Sequence, residues 1–142
     1  MKTPYCTAAA VQRRTVDALR VEIGANIAQE SRLQREQDAI SHAMSAERDL
    51  ALHEVGLHAA AWFRRQTDQR DRLEQERREA AERLEQLRDE ARDAFGALTA
   101  IDGAVDNYRQ SVRQRLAAAE QLGADDRTAA EFIRLRGVMR AR

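Results

Sequence analysis

The sequence predicts an all-α protein: an antiparallel two-helix coiled-coil hairpin with a longer, overhanging second helix. Four observations carry that prediction. From Ala80 the residues Leu84, Leu87, Ala91, Ala94, Leu98, Ile101, Val105, Tyr108 and Val112 follow at alternating steps of four and three, which is a sustained apolar heptad seam. The residues between them are mostly Arg, Glu, Asp and Gln, so the apolar stripe is narrow and must lie against another helix. Of the 142 residues, 34% are charged, 4% are aromatic and one is proline, a composition suited to long helices and not to a globular core. Finally, Gly56 interrupts an otherwise helical chain where a short link would bring two helices side by side.

Helix one is predicted over about residues 4–55. Thr3 suits the N-cap and Pro4 the first helical position, because threonine can accept from an unpaired N–H and proline lacks one. Its seam is read through Val11, Val16, Leu19, Ile23, Ile27, Leu33, Ile40, Met44, Ala51 and Val55, with irregular spacing and with Asn26, Glu30 and Gln37 on or near it. Such polar intrusions lower stability and fix register. The turn is predicted at about 56–59, with Gly56 past the helix end and Leu57 returning to Leu52 in a Schellman arrangement.

Helix two is predicted over about 60–138, beginning near His58 in preference to Thr67, so that residues 1–142 form a single hairpin. Between Gln66 and Arg92 it reads as a solvated face, with acid-before-base pairs Asp68/Arg72, Glu74/Arg78 and Glu79/Arg83. Gly96 and Gly103 leave the apolar period unbroken and read as close-packing or bending points, while Ala91 and Ala94 permit close approach near Ile23 and Ile27. A late hinge is expected at Gly123, Ala124 and Asp125, followed by an amphipathic turn or two holding Phe132, Ile133, Leu135 and Met139. Folded about residues 56–60, helix one reaches Tyr108 or Val112. Roughly thirty residues then overhang by ~45 Å, either as a frayed end or as a partner surface.

Formal charge is zero, from 24 basic and 24 acidic residues, which argues against nucleic acid or an anionic membrane as the main partner. Nearly all the positive charge is arginine, suited to bidentate carboxylate pairing. Cys6 is the single cysteine and fits a reducing cytoplasm. The run Ala8–Val11 is too short for a signal peptide or a membrane span, so the chain is expected to be cytoplasmic, without direct membrane insertion. His42, His53 and His58 complete no ligand set, no Gly-rich phosphate loop or nucleophile elbow occurs, and a two-helix chain offers no water-excluding pocket. No enzymatic activity, cofactor or metal is expected. Trp62 and Phe63 either close the hairpin tip against Val55 and Leu57 or anchor a partner.

The tail Ala124-Asp125-Asp126-Arg127-Thr128-Ala129-Ala130-Glu131-Phe132-Ile133-Arg134-Leu135-Arg136, together with the length, the longer second helix and Trp62 soon after the turn, resembles the FliJ family. These are soluble stalk proteins of the flagellar type III export ATPase, similar in plan to the injectisome stalks. Family tails carry Asp-Glu before small or apolar residues and Arg; here Ala130 replaces the Asp and Glu131 matches. The resemblance implies a non-enzymatic stalk whose terminal end enters a hexameric export ATPase through Val11, Val16, Glu131, Phe132, Arg134 and Arg136. It also implies a tip, with Met44, Trp62, Phe63 and Gln66, that meets the cytoplasmic domain of the membrane export gate, and a role in handling export chaperones. The chain would then be cytoplasmic and peripherally recruited to the inner membrane by the export apparatus. Several family members place tyrosines just before the turn, whereas Ala43 to Leu52 has none. The competing reading is a general coiled-coil scaffold or homodimerisation module, in which the overhang pairs with its own copy.

Overall fold

The computed structural model describes residues 3–51 and 58–140. It is an all-α hairpin of two long helices packed against each other, α1 (Cys6–Ala51) and α2 (His58–Arg140). The turn expected at 56–59, with Gly56, the Leu52/Leu57 contact and the end of helix one at Val55, lies outside the described residues. Two compact units can be distinguished, one of residues 12–96 and one of residues 1–11 with 97–142.

In the 12–96 unit, α1 buries Val16, Leu19, Asn26, Leu33 and Met44, and α2 buries Leu73, Ala80, Leu84, Leu87 and Ala94. Gln12, Ile23, Glu30, Gln37 and Ile40 are half-buried and fill the remaining positions of α1, so its spacing is a regular alternation of three and four. The pattern looked irregular because polar residues occupy heptad positions. Ile27, read as a seam residue, is 45% exposed, and its neighbour Asn26 takes the seam position. The stretch read as mostly a solvated face carries the seam further back than Ala80: Leu73 is 2% exposed, with Gln66, Arg70 and Arg77 half-buried at heptad steps beside it. Leu33, Leu73 and Ala80 form one buried cluster, against which Ile40 packs.

Antiparallel pairing in this unit is marked by polar links between the helices. Gln12 Nε2 donates to the Ala94 carbonyl at 2.9 Å. Arg83 reaches Glu22 at 3.3 Å and also Glu90 at 3.4 Å, taking these partners where Glu79 was expected. Gln37 joins Glu74 and Arg77. The close approach attributed to Ala91 and Ala94 near Ile23 and Ile27 therefore falls differently, because Ala94 meets Gln12.

In the other unit the helix begins two residues later than Thr3-Pro4 predicts. The Cys6 N–H donates to the Thr3 carbonyl at 3.1 Å and the Ala9 N–H to the Tyr5 carbonyl at 2.9 Å. The Thr3 N–H donates to Cys6 Sγ at 3.3 Å, and the Thr3 hydroxyl lies 3.3 Å from the same sulfur. This is half of a capping box, with a thiol three residues on where glutamate usually stands, so the Thr3 hydroxyl caps no backbone N–H there. Tyr5 packs edge to face on Tyr108, with ring centroids 6.3 Å apart and planes at 81°. Ala9 and Val105 are buried, while Leu98, Ile101, Tyr108 and Val112 are half-buried.

After Val112 burial ends. From Arg113 to Gly137 every described residue is exposed except Gly123, which is half-buried. The hinge expected at Gly123–Asp125 is absent, because α2 runs through it to Arg140. Arg127 Nε donates to the Gly123 carbonyl at 3.1 Å, Thr128 Oγ1 to the Ala124 carbonyl at 3.0 Å, and Gln121 Nε2 to Asp125 Oδ1 at 3.0 Å. One glycine costs a helix only about 1 kcal/mol, too little to break it where neighbours favour it. Gly96 and Gly103 are not close-packing points either, since a Cβ on either would meet nothing within 4 Å.

Candidate interaction surfaces

The sequence-predicted terminal site divides between roles. Glu131, Phe132, Arg134 and Arg136 lie on the uncovered part of α2, with Phe132 64% exposed. Ile133, Leu135 and Met139 are exposed on the same segment. At 100° per residue Phe132, Leu135 and Met139 fall within about 60° of one another, with Arg136 and Glu131 at the two edges of that strip, Arg127 and Arg134 on the flank beyond Glu131, and Ile133 apart from it. An amphipathic helix with its apolar side in water is marginal by itself and is stabilised by cover. Val11 is exposed at 55%, whereas Val16 is buried in the seam of the other unit, so its side chain is already in use.

At the tip, Met44 is likewise consumed by the core, at 4% exposure. Trp62 and Phe63 are half-buried and stack edge to face, with centroids 5.1 Å apart and planes at 83°. The guanidinium of Arg48 sits 5.8 Å over the Phe63 ring, a cation–π contact that joins α1 to α2. Gln66 is half-buried one turn on. Packing of the two rings on Val55 and Leu57 lies outside the described residues.

A polar layer interrupts the core beside the Leu33 cluster. Arg77 Nη1 donates to Gln37 Oε1 at 2.6 Å, and Gln37 Nε2 donates to Glu74 Oε2 at 3.0 Å. Arg77 Nη1 also lies 3.6 Å from Glu74 Oε2, and Arg78 Nε is 3.4 Å from Glu74 Oε1. The Gln37 amide, followed by Arg78 and the charge of Arg77, holds the Glu74 carboxyl below its usual range against partial desolvation. Among the described residues two buried side-chain atoms lack partners: Arg77 Nε and Asn26 Oδ1. Cys6 is exposed, and the hydrogen bonds from the side chain and backbone of Thr3 lower its thiol pKa, with smaller help from Arg109.

One feature escaped the sequence reading. On the flank of the 12–96 unit an open hollow of about 420 Å³ is floored by Val16, Ile23, Ala91 and Phe95. Its remaining lining residues are Arg20, Arg88 and Arg92. A signal for it was present, since Phe95 puts a large apolar residue one step past the seam residue Ala94, in a position that is usually polar in a two-stranded coil. Among the described residues no three His, Cys, Asp or Glu side chains come together to hold a metal, and no helix is long and apolar enough to cross a membrane.

Comparison with known proteins finds no matching family model, no matching curated protein and no matching solved structure.

Proposed function

We propose that this chain is a non-enzymatic stalk of a type III, flagellar-type protein export apparatus, held in the pore of a hexameric export ATPase by the uncovered end of α2. The observation that carries the reading is that end itself: a helical segment continuing past Val112 with Phe132, Ile133, Leu135 and Met139 in solvent beside Glu131, Arg134 and Arg136. An apolar side on an uncovered helix calls for a partner surface, and interspersed arginine and carboxylate favour contacts that form and release. On this reading the tip around Trp62, Phe63 and Gln66 meets the cytoplasmic domain of the export gate. The chain is then cytoplasmic, recruited peripherally to the inner membrane, and able to receive emptied export chaperones.

The test is the ATPase rate of a flagellar export ATPase hexamer with and without the chain, alongside its mass in solution. A monomer that raises the rate several-fold, with the effect lost in Phe132→Asp, is the expected result. A tight homodimer without effect on the rate would instead favour a coiled-coil scaffold whose overhang pairs with its own copy.

A further inference from the structure

The hollow in the 12–96 unit carries an inference independent of the stalk reading. Its floor is apolar, and every charged residue lining it is an arginine: Arg20 from α1, Arg88 and Arg92 from α2. Each pairs with an acid on its own helix, Arg20 with Asp17 at 3.6 Å, Arg88 with Glu85 at 2.6 Å and Arg92 with Asp89 at 2.7 Å. Those acids do not line the hollow. Surface pairs of this kind contribute little, so the guanidiniums can exchange partners at small cost. Arg83 of the same unit is matched by a carboxylate of the other helix, Glu22 at 3.3 Å, while Arg32, Arg70, Arg77 and Arg78 pair within their own helix. At the hollow both helices present cations to one opening.

The hollow lies where the seam changes from Leu84 and Leu87 to the small Ala91 and Ala94, with Ala91 in its lining. Phe95 stands beside it, 56% exposed, and Ile27 continues the apolar character along α1 at 45% exposed. Both lie one residue past a seam position, which widens the stripe from the width of a two-stranded seam toward that of a helix packed on two sides. An aromatic next to an apolar opening with arginines around it has the composition of an interface hot spot.

We propose that this groove docks an acidic amphipathic helix of a partner protein, laid along α1 and α2 with one large apolar side chain in the hollow and its carboxylates on Arg20, Arg88 and Arg92. The charge of the opening selects this occupant over a second copy of the chain. The chain's own uncovered apolar segment mixes Asp125, Asp126 and Glu131 with Arg127, Arg134 and Arg136, so it offers no acidic face to match three guanidiniums.

The test uses the full chain and a fluorescein-labelled three-heptad designed helix with Leu at a and d and Glu at e and g, read by fluorescence anisotropy. A peptide with Lys in place of Glu is the comparison. The Glu peptide is expected to bind about tenfold or more tightly than the Lys peptide, and Arg88→Glu/Arg92→Glu to reverse that preference. Phe95→Asp is expected to weaken the Glu peptide about tenfold with unchanged helical circular dichroism, since Phe95 is exposed. Equal binding of the two peptides, no binding of either, or Glu-peptide binding that ignores all three substitutions overturns the proposal; the last outcome would locate the contact elsewhere, as on the tail. A concentration-dependent homodimer abolished by Phe95→Asp also overturns it, by making the occupant a second copy.

Discussion

Asn26→Leu is expected to make the protein more stable, although it removes a native side chain from the core. Asn26 is 9% exposed, and its Oδ1 is buried without a hydrogen-bond partner. It lies between Glu22, which is bonded to Arg83, and Gln37, which is bonded to Arg77. The facing stretch of α2 is therefore 77–83, whose buried seam residue is the small Ala80. A stranded acceptor costs about 1–3 kcal/mol, and burying leucine there contributes about 1.5–3 kcal/mol. Leucine is bulkier than asparagine, and overpacking takes back about 1–3 kcal/mol, less where the neighbour is alanine. The net expectation is a gain of about 1–3 kcal/mol. Urea unfolding followed by circular dichroism measures it, at several protein concentrations because an all-apolar seam also favours association. Sedimentation of the same samples should show additional oligomers, since a polar seam residue restricts partner number. A variant less stable than the parent by about 1 kcal/mol or more would refute the reasoning, because Oδ1 would then have to be satisfied in solution.

Gly96→Ala and Gly103→Ala should each raise stability by about 1 kcal/mol, because neither glycine has positive φ and an added methyl meets open space; a fall in melting temperature would mean that the glycines are needed for a bend. The Glu74 carboxyl is depressed in the folded state, so its contribution is present above the unfolded value near 4.5 and is lost as pH falls through the lower folded value. Glu74→Gln should accordingly flatten the loss of stability below that pH, and an unchanged acid profile would count against the Gln37–Glu74–Arg77 layer. Thr3→Val should shift the pH midpoint of iodoacetamide labelling at Cys6 upward, because the bonds that favour the thiolate come first from Thr3; an unmoved midpoint would show that the Thr3–Cys6 contact does not form in solution.

The chain's periodicity is local information, and it determined most of the architecture. The seam from Ala80 to Val112, the antiparallel return that places Tyr5 on Tyr108, and the loss of cover beyond Val112 all follow from counting apolar residues at heptad spacing. Helix α2 has the early start at His58 that the sequence reading prefers over Thr67. Local signals misled where a weak preference met a stronger context. Gly123 marked a hinge, yet α2 passes through it, and Thr3 marked an N-cap, yet its polar groups turn to Cys6.

What the tertiary structure alone decided is which polar residues count as core and which apolar residues do not. Gln37 reads as an intrusion until Glu74 and Arg77, far away in the chain, are brought against it. Arg77 and Leu73 read as part of a solvated face until α1 lies over them, and Ile27 reads as core until Asn26 is found in its place. The hollow above Ala91 has the same origin. A small residue is a close contact or a gap only according to what stands opposite, and opposition is set by the register of two helices, which no window of a single helix contains.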